Sequence, residues 1–222
     1  MVPKMEDETL DQLIGKLALL WDDAQERNLL TEMLRTLDVR YGLSEKMIKE
    51  SGVVEIITQM TGRLAHAFRR LSDIRGKRIL DIACGSNSSR APAAVHVNTP
   101  FGHMTLDRPS KGYTALFEPW FCRMLFELGA DPVGVDMGDL EGEVFTHHRI
   151  DLGKAGTLDF LPKQSFDGIQ DSRLFGSPEF TAQFPNHKDH LQVAQEIRAQ
   201  ERRLLKPDGI LIHSDAKELA GY

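Results

Sequence analysis

Apolar positions in the first third of the chain recur at helical spacing. Leu10, Leu13, Ile14, Leu17, Leu20 and Trp21 fall at i, i+3, i+4 and i+7, and Leu29, Leu30, Met33, Leu34 and Leu37 repeat the pattern. Between the two sets the charged stretch Asp22–Asn28 reads as a break. Tyr41-Gly42-Leu43 reads as a C-terminal stop and Ser44 as an N-cap for a short helix over Glu45–Lys49. A further helix is predicted from Val53 to Leu71. These helices form an N-terminal extension, residues 1–75, placed to cover a sheet face or a cleft, or to recruit a substrate or a second copy of the chain.

From residue 76 the pattern changes to short apolar runs, several ending in an acid. Arg78-Ile-Leu-Asp-Ile82, Pro132-Val-Gly-Val-Asp136, Phe145–Ile150, Phe166–Gln170 and Ile210–His213 read as strands. Helical segments alternate with them. One covers Phe117–Leu128, with Glu118 and Pro119 in its first turn, Trp120, Met124 and Leu128 on its core face and Gly129 as its stop. Another is capped by Asn186 or Asp189 and ends near Leu205. Lys206-Pro-Asp-Gly209 has turn chemistry. Only a short turn fits between Asp136 and Phe145, so no crossover helix is expected there. Alternation of this kind predicts an α/β fold, a doubly wound, mostly parallel sheet of five strands over residues 76–222. The segment 88–114, rich in Pro, Gly, Asn and Ser, reads as a long irregular stretch, either a lid or substrate wall or a disordered surface loop.

The 222 residues suit one core with an appendage. A net charge of −6 argues against a broad phosphate-binding surface and gives no nucleic-acid signal. Cys84 and Cys122 lack C-x-x-C spacing and read as reduced thiols. The acidic N-terminus has no apolar signal region, and no run approaches the ~18 apolar residues of a membrane span; a cytoplasmic protein is expected. His147 and His148 lie within a strand, pointing to opposite faces. His187 and His190 read as surface residues, with no third ligand for a metal, and no metal site is expected.

The chemistry gathers where Arg78-Ile-Leu-Asp-Ile-Ala-Cys-Gly-Ser-Asn87 passes from strand to loop. Gly85 permits φ > 0 and lacks the Cβ that would keep a ligand away from the backbone. Asp81-x-Ala83-x-Gly85-x-Asn87 resembles the first motif of class I S-adenosylmethionine-dependent methyltransferases, whose members usually carry glycine where this chain has Ala83 and Asn87. The order of Pro132–Asp136, Arg149-Ile-Asp151-Leu152, Ser165–Gln170 and Leu204–His213 extends the resemblance over roughly residues 76 to 215.

The resemblance implies a Rossmann-like domain binding S-adenosylmethionine, with S-adenosylhomocysteine as product. It implies a cofactor site formed by Asp81, Ala83, Cys84, Gly85, Asp136, Met137, Asp151, Leu152 and Asp171. Asp136 would accept the ribose hydroxyls, and Asp151 with the N–H of Leu152 would read the adenine edge. Asp171 and His213 are the candidates for a catalytic base. The acceptor is a small molecule or a protein, and the N-terminal helices are a candidate homodimer surface. Two other readings stand beside this one. The missing glycines, the absent crossover helix and the absence of the family's last strands point to a degenerate cofactor-binding scaffold. A nicotinamide-dependent oxidoreductase would instead need G-x-G-x-x-G, of which only Gly85 is present.

Overall fold

The computed structural model describes residues 8–87, 94–99, 102–107, 114–171, 183–184 and 186–212, with the backbone alone at 94–99, 102–107 and 187. In chain order the elements are α1 (Leu10–Ala18), α2 (Ala24–Tyr41), α3 (Leu43–Lys49), α4 (Gly52–Ala67), β1 (Arg78–Ile82), β2 (Ala94–Thr99), β3 (Gly102–Asp107), α5 (Trp120–Glu127), β4 (Asp131–Asp136), β5 (Thr146–Arg149), β6 (Phe166–Gln170), α6 (His187–Leu204) and β7 (Leu205–Ile212).

Polar residues set the helix ends. At α1, Thr9 and Gln12 form a reciprocal capping box, with bonds of 2.8 and 3.3 Å. The charged stretch 22–28 is a break only at its start. Asp23 Oδ1 accepts the N–H of Gln25 at 2.7 Å and starts α2 at Ala24. Glu26, one turn in, is buried and accepts from Arg70 Nε and from the N–H and hydroxyl of Ser72, so a residue that interrupts the apolar period is a tether between elements. Gly42, at φ 65°, ends α2 with its N–H on Asp38 O and serves as the cap position of α3. Ser44 is therefore not the cap; its N–H donates to Asp38 Oδ1 at 2.7 Å. α4 stops at Ala67, short of Leu71, where Phe68 turns extended, and a 3-10 turn over Leu71–Ile74 leads to the sheet.

The sheet is parallel throughout, in the order β5-β4-β1-β6-β7. This is a Rossmann-like α/β fold with helices at its N-terminus. Parallel strands need cover on both faces, and the alternation along β1 shows which element covers each. Ile79 joins Ile212 in one buried cluster with α1–α4 and the α5 residues Trp120, Phe121 and Met124. Leu80 and Ile82 join Val133, Val135 and Ile169 in a second, closed by Ala194, Ile197 and Leu204 of α6.

Several sequence expectations change. The stretch 88–114 contains structure: β2 and β3 pair antiparallel, from Ala94↔Asp107 to Thr99↔Gly102. The β-branched residues Val95, Val97 and Thr99 at alternate positions favour a strand, a signal masked by the surrounding Pro, Gly and Asn. α5 starts at Trp120, because Glu118 precedes a proline and is held extended at φ −67°, ψ 159°; Pro119 is the cap position and Ala115–Phe117 a 3-10 turn. Lys206–Gly209 lies within β7 as an irregularity that shifts the register between Phe166 and Gly168. His190 is buried rather than on the surface. As expected, the core takes Trp120, Met124 and Leu128, and residues 137–145 carry no helix. No described helix is long and apolar enough to cross a membrane.

Candidate functional site

From β1 the chain runs outward through β4 to β5 and then returns to β6 on the other side of β1, so the strand order reverses between β1 and β6 and the crevice of this fold opens at the C-terminal ends of β1, β4 and β6. The 83–87 loop leaves β1 at that point. Its first residue, Ala83, sits at φ 58°, the left-handed region in which glycine is unstrained and alanine is not. Gly85 follows at φ 92°.

Four backbone bonds hold the loop. Cys84 N–H donates to Val135 O at 3.2 Å, Ser86 N–H to Phe117 O at 3.0 Å and Asn87 N–H to Asp139 O at 2.8 Å. Gly85 N–H donates to Asp136 Oδ2 at 3.1 Å, while Gly138 N–H donates to Asp136 Oδ1 at 2.8 Å. Asp136 therefore joins the glycine loop to the loop after its own strand. Burial pushes its carboxyl above the usual value, and the N–H donors of Gly138, Gly85 and Met137 oppose that rise. Met137 itself is exposed.

The role expected of Gly85 changes in one respect. A Cβ there would stand 2.1 Å from Phe117 O and 3.0 Å from the Glu118 carbonyl. The missing side chain makes room for the protein's own backbone at 117–118. Gly138 is similar, because a Cβ would stand 2.1 Å from Ser86 Oγ.

Asp81 lies one layer below the loop, on the α5 face of the sheet. It is buried, with Cys122 Sγ 3.6 Å from Oδ2 and Gln170 Nε2 3.4 Å from Oδ1. Both contacts are long, and desolvation dominates: the carboxyl is pushed up from 3.8 to about 7. Between about pH 4 and 7 the native protein holds this proton while the unfolded chain has released it. Stability therefore falls as pH rises through that window and levels off above it. Asp81→Asn is expected to flatten the dependence and to stabilise the protein at pH 8 by up to about 4 kcal/mol. Urea unfolding at pH 5 and pH 8 checks this; equal slopes for both proteins would place no buried proton on Asp81.

Cys84 and Cys122 are both free thiols, as expected, and both are buried. They pack together beside Gly134, where a Cβ would meet Cys84 Sγ at 2.8 Å and Cys122 Sγ at 3.3 Å. Burial raises both thiols, Cys84 to about 11, so neither is poised as a thiolate.

The remaining predicted residues are more dispersed. Asp151 follows β5 and accepts from Gly153 N–H and Gln183 Nε2, with Lys154 Nζ at 3.4 Å. Burial raises its carboxyl, but the hydrogen bonds from Gln183, Gly153 and Lys154 outweigh this and leave it below the usual value. Leu152 is buried in the α6-side core. Asp171, after β6, lies 2.5 Å from Arg198 Nη1, which also meets Glu201 Oε2 at 2.9 Å. That pairing engages the charge a general base would use. His213 lies outside the described residues.

Sequence reasoning did not anticipate the buried ionic cluster beside the loop. Glu118 pairs with Lys46 Nζ at 2.6 Å and with Arg123 Nη1, and Arg123 also meets Glu143 at 2.6 Å. A signal was present: Arg123 is the only charge within Trp120–Phe126, and a lone cation in an apolar helix must find a buried partner. Among the described residues, no three His, Cys, Asp or Glu side chains come together as a metal site. The chain matches no protein-family model, and no curated protein matches it in sequence.

Proposed function

We propose that the protein is an S-adenosylmethionine-dependent methyltransferase acting on a small-molecule or protein acceptor. The observation that carries this reading is the position of Asp136, an acid at the end of β4, beside β1, bonded to the glycine loop at the switch point. An acid so placed is how a Rossmann-like fold accepts the hydroxyls of a ribose.

The residues fit that ligand. Asp136 accepts the N–H groups of Gly85 on Oδ2 and Gly138 on Oδ1, with Met137 as a third donor, and the four lone pairs of a carboxylate leave it further accepting capacity. Asp136 ends β4, and Asp151 and Asp171 follow β5 and β6 at this edge of the sheet. Acceptors so placed suit hydroxyls, whereas a dinucleotide's pyrophosphate calls for donors and positive charge. The cofactor supplies a methyl carbon on a positively charged sulfur, a leaving group that needs no further activation. What falls to this chain is alignment: Asp136 orients the ribose, Asp151 the base, and the 83–87 backbone borders the crevice. Where the acceptor must lose a proton, Asp171 and His213 remain the candidates.

The test is calorimetric titration with S-adenosylmethionine and S-adenosylhomocysteine, repeated on Asp136→Ala. Micromolar binding to the wild type, lost in the variant, is the expected result. Absence of binding to the folded wild type would overturn the reading.

A second reading, a degenerate scaffold of this fold, is favoured by one observation: the space at Gly85 is filled by Phe117 O. Binding of both ligands without transfer to any acceptor class would support it.

A further inference from the structure

Arg123 stands behind the crevice, on α5, with its side chain 4% exposed. Its guanidinium reaches in three directions. Nη1 donates to Glu118. Nε and Nη2 form a two-pronged contact with Glu143, at 3.2 and 2.6 Å. Nη2 also donates to Asn87 Oδ1 at 3.0 Å. Its Cζ lies 4.2 Å from the Tyr41 ring centroid and 4.9 Å from that of Trp120, so the N-terminal helix α2 and the start of α5 hold the fork in place.

Two of those acceptors belong to different loops of the crevice. Asn87 ends the glycine loop, and Glu143 ends the segment that leaves Asp136. Asn87 joins the two directly as well, through Nδ2 to Glu141 O at 3.1 Å and N–H to Asp139 O at 2.8 Å. A planar guanidinium can bridge acceptors in fixed directions, which a lysine ammonium cannot reproduce.

We propose that Arg123 is a positioning residue: through Asn87 and Glu143 it sets the distance between the glycine loop and the loop after Asp136. Asn87, which stands where the resembling family usually has glycine, is on this reading the handle by which the loop is held. The geometric part stands on the contacts above; its consequence for binding rests on the cofactor reading.

The experiment uses Asn87, which is half-buried and lies outside the core clusters, because Arg123 variants lose a buried ion pair and can fail to fold. Hydrogen exchange of the Gly85 and Gly138 amides is measured in the full chain without ligand, together with its melting temperature and its titration with S-adenosylhomocysteine. Asn87→Ala is expected to speed exchange at both amides at least about tenfold and to weaken binding by about tenfold, with the melting temperature nearly unchanged. Asn87→Asp keeps an acceptor for Nη2 and loses the donor to Glu141 O, and it is expected to restore most of the protection. Unchanged exchange in Asn87→Ala overturns the proposal. So does an Asn87→Asp variant as labile as Asn87→Ala, which would assign the restraint to the Glu141 bond. If the wild type binds no cofactor but the exchange pattern appears, the methyltransferase reading falls and the positioning role stands.

Discussion

Gly85→Ala is expected to destabilise the protein by roughly 3–5 kcal/mol, the range of the severe single substitutions. Two costs combine. At φ 92° the added Cβ strains the backbone by about 1–2 kcal/mol. The larger cost is steric, because the methyl would stand 2.1 Å from Phe117 O and 3.0 Å from the carbonyl carbon and oxygen of Glu118. Those are backbone atoms and cannot rotate away. Relief requires moving the 115–118 turn, which breaks the bond from Ser86 N–H to Phe117 O and disturbs the buried Glu118 carboxylate. Ala83→Gly runs in the opposite direction. Removing a Cβ at φ 58° relieves strain, offset in part by the greater freedom of glycine in the unfolded chain, for a net gain of about 0.5–1 kcal/mol. Thermal and urea unfolding followed by circular dichroism measure both. A Gly85→Ala protein within about 1 kcal/mol of wild type would mean that Phe117 does not close on the loop.

Breaking the ionic cluster at Glu118 is expected to cost a similar amount. Glu118→Gln preserves shape but leaves Lys46 and Arg123 facing a neutral amide, with Glu143 still paired to Arg123 but no longer helped by Glu118. The Glu118 side chain is 0% exposed and that of Arg123 4%, so water cannot take the lost partner's place. Removing one member of a buried pair typically costs 3–5 kcal/mol, and about 3 kcal/mol is expected here because the amide still accepts a hydrogen bond. Lys46→Met removes the more exposed cation, whose side chain is 26% exposed, and should cost less. In the double variant the two losses should fall short of their sum, by about 0.5–3 kcal/mol of coupling. Additive losses in urea would show that Lys46 and Glu118 do not meet in solution.

These two predictions concern one region, where the N-terminal helices, α5 and the glycine loop meet. Lys46 comes from α3, Tyr41 from α2, Glu118 from the extended residue before Pro119, Arg123 from α5, and Asn87 from the loop. The candidate crevice is thus supported by side chains from the N-terminal extension, which also shares a buried cluster with α5 and Ile79 of β1. Substitutions in α2 and α3 that face this cluster belong in any test of ligand binding, alongside those in the crevice.

How legible this was in the sequence depended on whether the signal was local. The strands ending at Ile82, Asp136 and Gln170 were readable, because each is a short apolar run bounded by polar or turn residues. The stop at Gly42 was readable from the residue type that a left-handed turn demands, although Gly42 also serves as the next helix's cap in place of Ser44. The hairpin at 94–107 was missed, since its strand signal is diluted by loop-forming residues and pairing across it is not a property of either strand alone. The break at 22–28 was overread, because caps and tethers use the same charged residues as loops do. The family resemblance put Asp136 and Gly85 in one candidate site, and the structure joins them by a hydrogen bond.

What the sequence determined by itself was the order of the five strands of the parallel sheet and of the helices around them, since periodicity and turn chemistry are written in neighbouring residues. It also placed the acids Asp136 and Asp171 at or just after strand ends, because each apolar run stops there. Tertiary structure alone decided the environments. Asp81 is driven toward neutrality by burial beneath the loop, Asp171 is engaged by Arg198 from a helix that follows it in the chain, and the space beside Gly85 is taken by Phe117. Each depends on atoms distant in sequence and close in space, and charge, desolvation and steric exclusion act only through that closeness.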